Sequence, residues 1–304
     1  MTPKKKIIVL AGPTATGKTA MAVRLALEAN GEIISCDSRQ VFKGMDIGTG
    51  KDLSEYKTIT HHLIDITPPG KPFSVSSFQS LAIKALGQIT ARNKLPVICG
   101  GTGHYLKALI EDYAFDEKPS DPLLTEQLEK LERSELYLKL KEQGLWEERD
   151  WEKDSLRRMA RTLEKKTSET TPRQNPGTYS DHFSHRIFLL ELPRNEIRSR
   201  IKIRLEERFR AGMIGEVEGL LKKGVQAKQL LKYGLEYKWI CLYLTGEIPL
   251  ETMKSRLYTA ICRFAKRQDT FFRYLAKNGH EIHPVKNYSE LIAQAQDWLS
   301  DPST

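Results

Sequence analysis

The sequence predicts an α/β fold: a parallel β-sheet flanked by helices and interrupted by a mostly helical insertion. Three observations predict it. Short apolar runs alternate with helix-patterned stretches through the first 112 residues. The segment Gly12-Pro13-Thr14-Ala15-Thr16-Gly17-Lys18-Thr19 follows one such run and opens a helical one, the arrangement of a P-loop NTPase-like sheet. Strand patterning then stops near Asp112 and returns only at Arg186–Leu192. The core domain is therefore expected over 1–112 and 184–304, with the insertion at 113–183.

Each element follows from its residues. Lys5–Ala11 is β-branched, apolar and bounded by glycine, so it reads as a buried strand, and Ala20–Ala29 is built from strong helix formers. Glu32–Cys36 and His62–Ile66 read as the next two strands. Ser76–Asn93 sets Phe78, Leu81, Ala82, Ala85, Leu86 and Ile89 on one helical face. Leu95–Cys99 is a further strand, and His104–Ile110 a helix. In the insertion, Leu123–Gln143 and Lys153–Lys166 read as two amphipathic helices, followed by a Thr/Pro/Asn/Gly-rich loop over Ser168–Ser180. Helices are expected at Arg194–Gly212, Ile214–Lys223, Leu250–Leu275 and Tyr288–Leu299, with an edge strand at Glu281–Val285.

Composition narrows the function class. Of 304 residues 29% are charged, and the net charge is +9, which favours a polyanionic partner, although an ordinary basic surface gives the same excess. Cys36, Cys99, Cys241 and Cys262 form no C-x-x-C pair and no zinc spacing, so they read as thiols of a reducing compartment. No signal-like or membrane-length apolar run is present. A cytoplasmic protein with no membrane partner is expected, and a monomer by default.

Gly12–Thr19 matches G-x-x-x-x-G-K-[ST]. Its backbone N–H groups and the positive end of the following helix would cradle phosphate oxygens, with Lys18 on the terminal phosphate and the Thr19 hydroxyl on Mg²⁺. A chance glycine turn would not bring the flanking strand and helix with it. Asp37 ends the second strand, where ligands of open α/β sheets bind. It has two readings there: a general base or water-mediated Mg²⁺ ligand, or a cap on the next turn. The Leu95–Cys99 strand ends in Gly100-Gly101-Thr102-Gly103, without the acid that phosphate-loop hydrolases place there for Mg²⁺. That lowers the standing of a nucleotide-hydrolysing motor or switch.

Several ordered segments together resemble the tRNA dimethylallyltransferase (tRNA isopentenyltransferase) family. They are the loop GPTATGKT, Asp37-Ser38-Arg39-Gln40 with its continuation to Thr49, His61–Ile66, Gly100–Tyr105, Arg204–Phe209, and Ala265-Lys266-Arg267-Gln268-Asp269-Thr270-Phe271-Phe272-Arg273. The resemblance implies transfer of a dimethylallyl group from dimethylallyl diphosphate to N6 of the adenosine 3′ to the tRNA anticodon. It implies Lys18, Thr19 and Mg²⁺ on the departing diphosphate, and Arg208 as the guanidinium beside it, with Arg204 one turn away as the alternative. It also implies Asp37 as the acceptor of the amine proton. Asp37, Ser38, Arg39, Gln40 and Thr102 would contact the target base and its neighbours, and Arg157, Arg158 and Arg161 the anticodon stem-loop. Without the resemblance, Arg208 belongs to a charged helix of ordinary i,i+4 pairs, and the three insertion arginines to a solvated face.

The late helix interleaves Arg263, Lys266 and Arg267 with Phe264, Phe271 and Phe272; the phenylalanines read mostly as core and the cations as an RNA-facing stripe. His61 and His62 lack metal-ligand spacing and read as structural. The chain departs from common bacterial members within Gly48-Thr49-Gly50-Lys51-Asp52, where they commonly carry Gly-Thr-Ala-Lys-Pro, at Tyr233–Lys238 and near Leu123–Thr125. Three other functions share some of these features. They are a small-molecule P-loop kinase, an adenylate isopentenyltransferase acting on free nucleotide, and a non-enzymatic RNA-binding module.

Overall fold

In a computed structural model, residues 4–115, 122–145, 155–167 and 178–301 are described. They form a six-stranded sheet of order β3-β2-β4-β1-β5-β6, parallel throughout. Its strands are β1 (Lys5–Ala11), β2 (Gly31–Ser35), β3 (His61–His62), β4 (Leu95–Gly100), β5 (Phe183–Leu190) and β6 (Ile282–Val285). Alternation along the central strands splits their side chains between two cores. Ile7, Val9, Ala11, Ile98, Ile187 and Leu189 face α2 (Val75–Ala91) and α3 (Gly103–Ile110). Ile8, Leu10, Val97, Phe188 and Leu190 face α1 (Lys18–Glu28) and α13 (Tyr288–Ser300). Both outer helices with side-chain caps start where the sequence offers one: Ser74 Oγ accepts from Ser77 N, and Asn287 Oδ1 from Glu290 N, each at 3.0 Å.

A third core is wholly helical. α8 (Arg194–Arg210), α9 (Met213–Lys222), α10 (Ala227–Leu230), α11 (Leu235–Leu244) and α12 (Leu250–Lys277) enclose it together with Val41, Phe42 and Met45. α10 and α11 were not expected. The apolar residues of Leu235–Leu244 run around the helix, which packs against both α9 and α12, so no single-faced period marks it.

Two expected elements differ. The third strand covers only His61–His62, because Leu63 and Asp65 take positive φ of 63° and 55° and turn the chain away. Residues 65–67 then bond to Gln40 and Val41 carbonyls and strap the loop beyond β2. The first insertion helix divides into α4 (Pro122–Glu129) and α5 (Arg133–Glu142), since Glu132 starts a new helix by donating its N–H to Glu135 Oε2 at 3.0 Å.

The chain separates into two compact units, Met1–Asp112 with Gly177–Thr304, and Tyr113–Pro176. The expected insertion ended at residue 183, later than this. The short α7 (Tyr179–His182) belongs to the first unit, because Asp112 accepts the N–H groups of Tyr179 and Ser180 and the Tyr179 ring is buried in the sheet core. The second unit packs α4 and α5 on α6 (Leu156–Thr167) around Leu136, Leu140, Leu145, Met159, Ala160 and Leu163. Of the expected loop over Ser168–Ser180, residues 168–177 lie outside the described residues, as do 153 and 154 of the expected second insertion helix.

Candidate active site

The loop between β1 and α1 turns on two glycines. Gly12 has φ +150°, and a Cβ there would stand 3.0 Å from the Leu190 carbonyl; Gly17 (φ +89°) leads into α1. Within the loop, Thr16 Oγ1 donates to Pro13 O at 2.9 Å, and Lys18 Nζ donates to the same oxygen at 2.5 Å. Lys18 lies in a cleft of about 1270 Å³ at the carboxyl ends of the strands, whose wall also includes Thr14, Ala15, Gly17, Thr19 and Asp37. Burial lowers the Lys18 ammonium to about 8; nearby Arg204 acts in the same direction, while Cys99 and Asp37 oppose it.

Asp37 follows β2 and faces the same cleft. Its Oδ1 accepts from Arg39 N at 2.8 Å and Gln40 N at 3.4 Å, so Asp37 does cap the next turn while keeping Oδ2 outside that cap. Thr102 Oγ1 accepts from Ser38 N at 3.1 Å, which joins two segments that the sequence could only name separately. The Gln40 amide is engaged inside the protein: Oε1 accepts from Ser35 Oγ at 2.8 Å and Nε2 donates to Gly50 O at 3.1 Å.

The Gly100-Gly101-Thr102-Gly103 loop is glycine-rich because three neighbours press on it. Added Cβ atoms would lie 2.2 Å from the Cys36 carbonyl at Gly100, 2.3 Å from Gln268 Nε2 at Gly101 and 2.1 Å from the Phe271 ring at Gly103. Gln268 donates to Gly101 O at 2.8 Å and accepts from Thr14 N at 2.8 Å. No sequence signal beyond membership of the late motif marks this residue.

The arginines of α8 resolve as a row rather than one residue. Arg200 Nη1 donates to Thr16 O at 3.3 Å, and Arg204 donates to Thr14 Oγ1 at 3.4 Å and Asp52 Oδ2 at 3.1 Å. Arg208 is the most enclosed: Nη1 is 3.8 Å from Glu236 Oε1, Nη2 is 4.0 Å from Asp52, and Nη2 is buried without a hydrogen bond. Burial, then Arg204, pull its guanidinium down to about 10. Burial raises the Glu236 carboxyl, and Arg208 opposes that shift. Arg200, one turn before Arg204, was not assigned a part from the sequence.

The loop beneath these arginines is held by Glu216, Tyr237 and Lys51, whose parts in it the sequence did not reveal. Glu216 accepts from the N–H groups of Asp46, Ile47 and Gly48 at 2.7, 2.7 and 3.0 Å, and from Tyr237 OH at 2.6 Å. The Lys51 side chain is fully buried; Nζ donates to Phe42 O at 2.7 Å, to Asp46 Oδ1 at 2.6 Å and to Asp65 Oδ1. The histidines are likewise engaged within the fold. His62 lies 2.7 Å from the buried Glu32, which Arg92 also grips, and His61 packs on Tyr56.

Of the late phenylalanines, Phe272 is buried and Phe271 half-buried, but Phe264 is 37% exposed at the cleft, with Arg267 stacked 5.8 Å from its ring centre. The expectation that all three were mostly core does not hold for Phe264, whose position on α12 turns it toward the opening. In the second unit, Arg157 is 3.6 Å from Glu129, and Arg161 pairs at 2.5 Å with the buried Glu164. Arg158 lies beside Arg157 on α6.

A family model described as IPP transferase matches residues 40–275. The chain is 42% identical over 299 residues to tRNA dimethylallyltransferase 2 of Shewanella sediminis, covering 97% of this chain and 98% of that protein. It is 43% identical over 283 residues to tRNA dimethylallyltransferase 2 of Porphyromonas gingivalis, covering 91% and 92%. Among solved structures, the tRNA isopentenylpyrophosphate transferase of Bacillus halodurans superposes with a TM-score of 0.71 at 30% identity, over 98% of this chain and 96% of that one. A eukaryotic dimethylallyltransferase acting on tRNA shares the fold, with a TM-score of 0.78 at 23% identity over 97% and 80%.

Proposed function

The chain belongs to the IPP transferase family, and on that premise we propose that it transfers a dimethylallyl group from dimethylallyl diphosphate to N6 of the adenosine 3′ to the anticodon of tRNA. The observation that carries this reading is the convergence of Lys18, Arg204 and Arg208 with Asp37 on one cleft. Three cations and a glycine loop suit a diphosphate, and a carboxylate suits a nucleophile that must lose a proton.

In this reading the bond from the allylic carbon to the diphosphate oxygen breaks as the bond from N6 to that carbon forms. Charge grows on the departing oxygens, and the loop, Lys18, Arg204 and Arg208, which line the same cleft, would stabilise it. Arg208 keeps an unpartnered buried N–H that a phosphate oxygen would satisfy. Asp37 takes the amine proton through the oxygen outside its cap. Thr19, with Asp37 acting through a water, offers the oxygen donors that Mg²⁺ prefers, and the ion would neutralise diphosphate charge when bound.

Ser38, Arg39 and Thr102 are proposed to meet the extruded base, and Arg157, Arg158 and Arg161 the tRNA backbone. The exposed Phe264 offers a stacking face. Gln40 is assigned a supporting part, since both ends of its amide hold the protein together. A monomeric cytoplasmic protein is proposed; no helix among the described residues is long and apolar enough to cross a membrane.

A kinase reading is disfavoured by Cys99 and Gly100 at the end of β4, the strand beside β1, where an acid would hold Mg²⁺. The test is incubation with unmodified tRNA and labelled dimethylallyl diphosphate, with and without Mg²⁺. Label at N6 of the anticodon-adjacent adenosine supports the reading. Phosphate transfer from ATP to a small acceptor, with unlabelled RNA, would overturn it. Labelled free AMP with unlabelled tRNA would identify an adenylate isopentenyltransferase instead.

A further inference from the structure

The donor and acceptor sides of the cleft belong to different strands. The diphosphate loop joins β1 to α1, whereas the glycine loop that contacts the Asp37 segment joins β4 to α3. Alkyl transfer requires the two reactants to be aligned with reacting atoms about 3–3.5 Å apart. Something must therefore fix the separation of the two loops.

We infer that Gln268 is a positioning residue that sets the register of the diphosphate loop against the acceptor-side glycine loop. Its amide oxygen accepts from Thr14 N, and its amide nitrogen donates to Gly101 O, both at 2.8 Å. These partners leave one orientation for the amide, because Thr14 N can only donate and Gly101 O only accept. Gln268 is 8% exposed; its bond to Gly101 is buried and its bond from Thr14 partly so. The connection continues through Thr102, whose Oγ1 accepts from Ser38 N at 3.1 Å, next to Asp37. A short hydrogen-bonded path thus joins the loop that would hold the leaving group to the residue that would take the proton.

The helix behind Gln268 keeps the bridge from sliding. One turn further along α12, Phe271 rests on Gly103, and Phe272 and Leu275 are buried in the sheet core. Gly101 itself leaves no space for a Cβ, which would meet Gln268 at 2.3 Å and Gly12 O at 3.1 Å. The two loops are in direct contact, and the amide spans them at the contact.

This inference rests on the proposed transfer reaction, so wild-type labelling of tRNA is measured first; its failure would count against that reaction alone. Gln268→Met removes both bonds at similar length. Gln268→Asn keeps the donor and acceptor but is one methylene too short to span both partners. Single-turnover transfer should slow about 100-fold in both variants, while Kd values for pyrophosphate and for tRNA change less than about threefold. The inference is overturned if both variants transfer at the wild-type rate, even with a lower Tm, since Gln268 is then only a brace. It is also overturned if the loss appears as weaker pyrophosphate binding with an unchanged rate at saturation. Should Gln268→Met fail to fold, Gln268→Asn decides by the same measurements.

Discussion

A Cβ on Gly50 would stand 1.5 Å from Arg208 Nη2 and 2.3 Å from Arg204 Nη2, so two guanidinium groups occupy the space that a side chain would need. Gly50 is placed in turn by Gln40, which donates to its carbonyl, and by the neighbouring buried Lys51. The backbone of this loop therefore helps to locate the arginines. Gly50→Ala should displace them and lower kcat by about 10- to 100-fold. The positive φ of 62° adds about 1 kcal/mol of strain. Steady-state kinetics with circular dichroism separates the displaced arginines from unfolding.

Asp37→Asn preserves an oxygen able to cap Arg39 N and Gln40 N, so the turn should survive. The proposed general base does not survive. Turnover should fall by about 10²- to 10⁴-fold with little change in the urea midpoint. A variant with near wild-type turnover would remove Asp37 from the proton-transfer step.

Lys18 links binding to pH. With its ammonium lowered to about 8, the cation discharges as pH rises through that value, before the unfolded chain does so near about 10.4. Between these values the unfolded chain binds more protons, so this group makes the folded state more stable as pH rises. Pyrophosphate binding should behave oppositely, holding steady below about 8 and weakening above it, because the anion requires the charged amine. Calorimetric titration of pyrophosphate across that range checks the trend, which Lys18→Met should flatten. Lys18→Ala should abolish turnover while tRNA binding persists.

Glu216→Ala removes the carboxylate that gathers three backbone N–H groups and the Tyr237 hydroxyl. Stability should drop by about 2–3 kcal/mol, read from urea unfolding. Turnover should drop as well, because residues 46–48 lead directly to Gly50.

The sheet was legible because buried parallel strands are short, apolar and punctuated: Lys5–Ala11 agrees with its strand at both ends. The truncated third strand was not, since the positive φ values of Leu63 and Asp65 arise from the strap they make with Gln40 and Val41, a tertiary demand without local signature. The phosphate loop and Asp37 could be placed near one another from strand-end logic alone. Glu216 and Gln268 could not, because each acts on backbone atoms more than 150 residues away, and a backbone partner leaves no residue type to read. Arg208 fell between these cases: resemblance singled it out, but the row with Arg200 and Arg204 needed the folded loop to give the spacing meaning.

The crowding around Gly100, Gly101 and Gly103 also limits how the protein can change. Gly100 is matched to the Cys36 backbone, and Gly101 and Gly103 to two residues of α12, so no larger residue can be accommodated unless Cys36, Gln268 or Phe271 gives way. Position 101 and position 268, 167 residues apart, are therefore one design variable. Efforts to retune this pocket for longer allylic donors would have to treat such pairs together, and would find more latitude at the exposed Phe264.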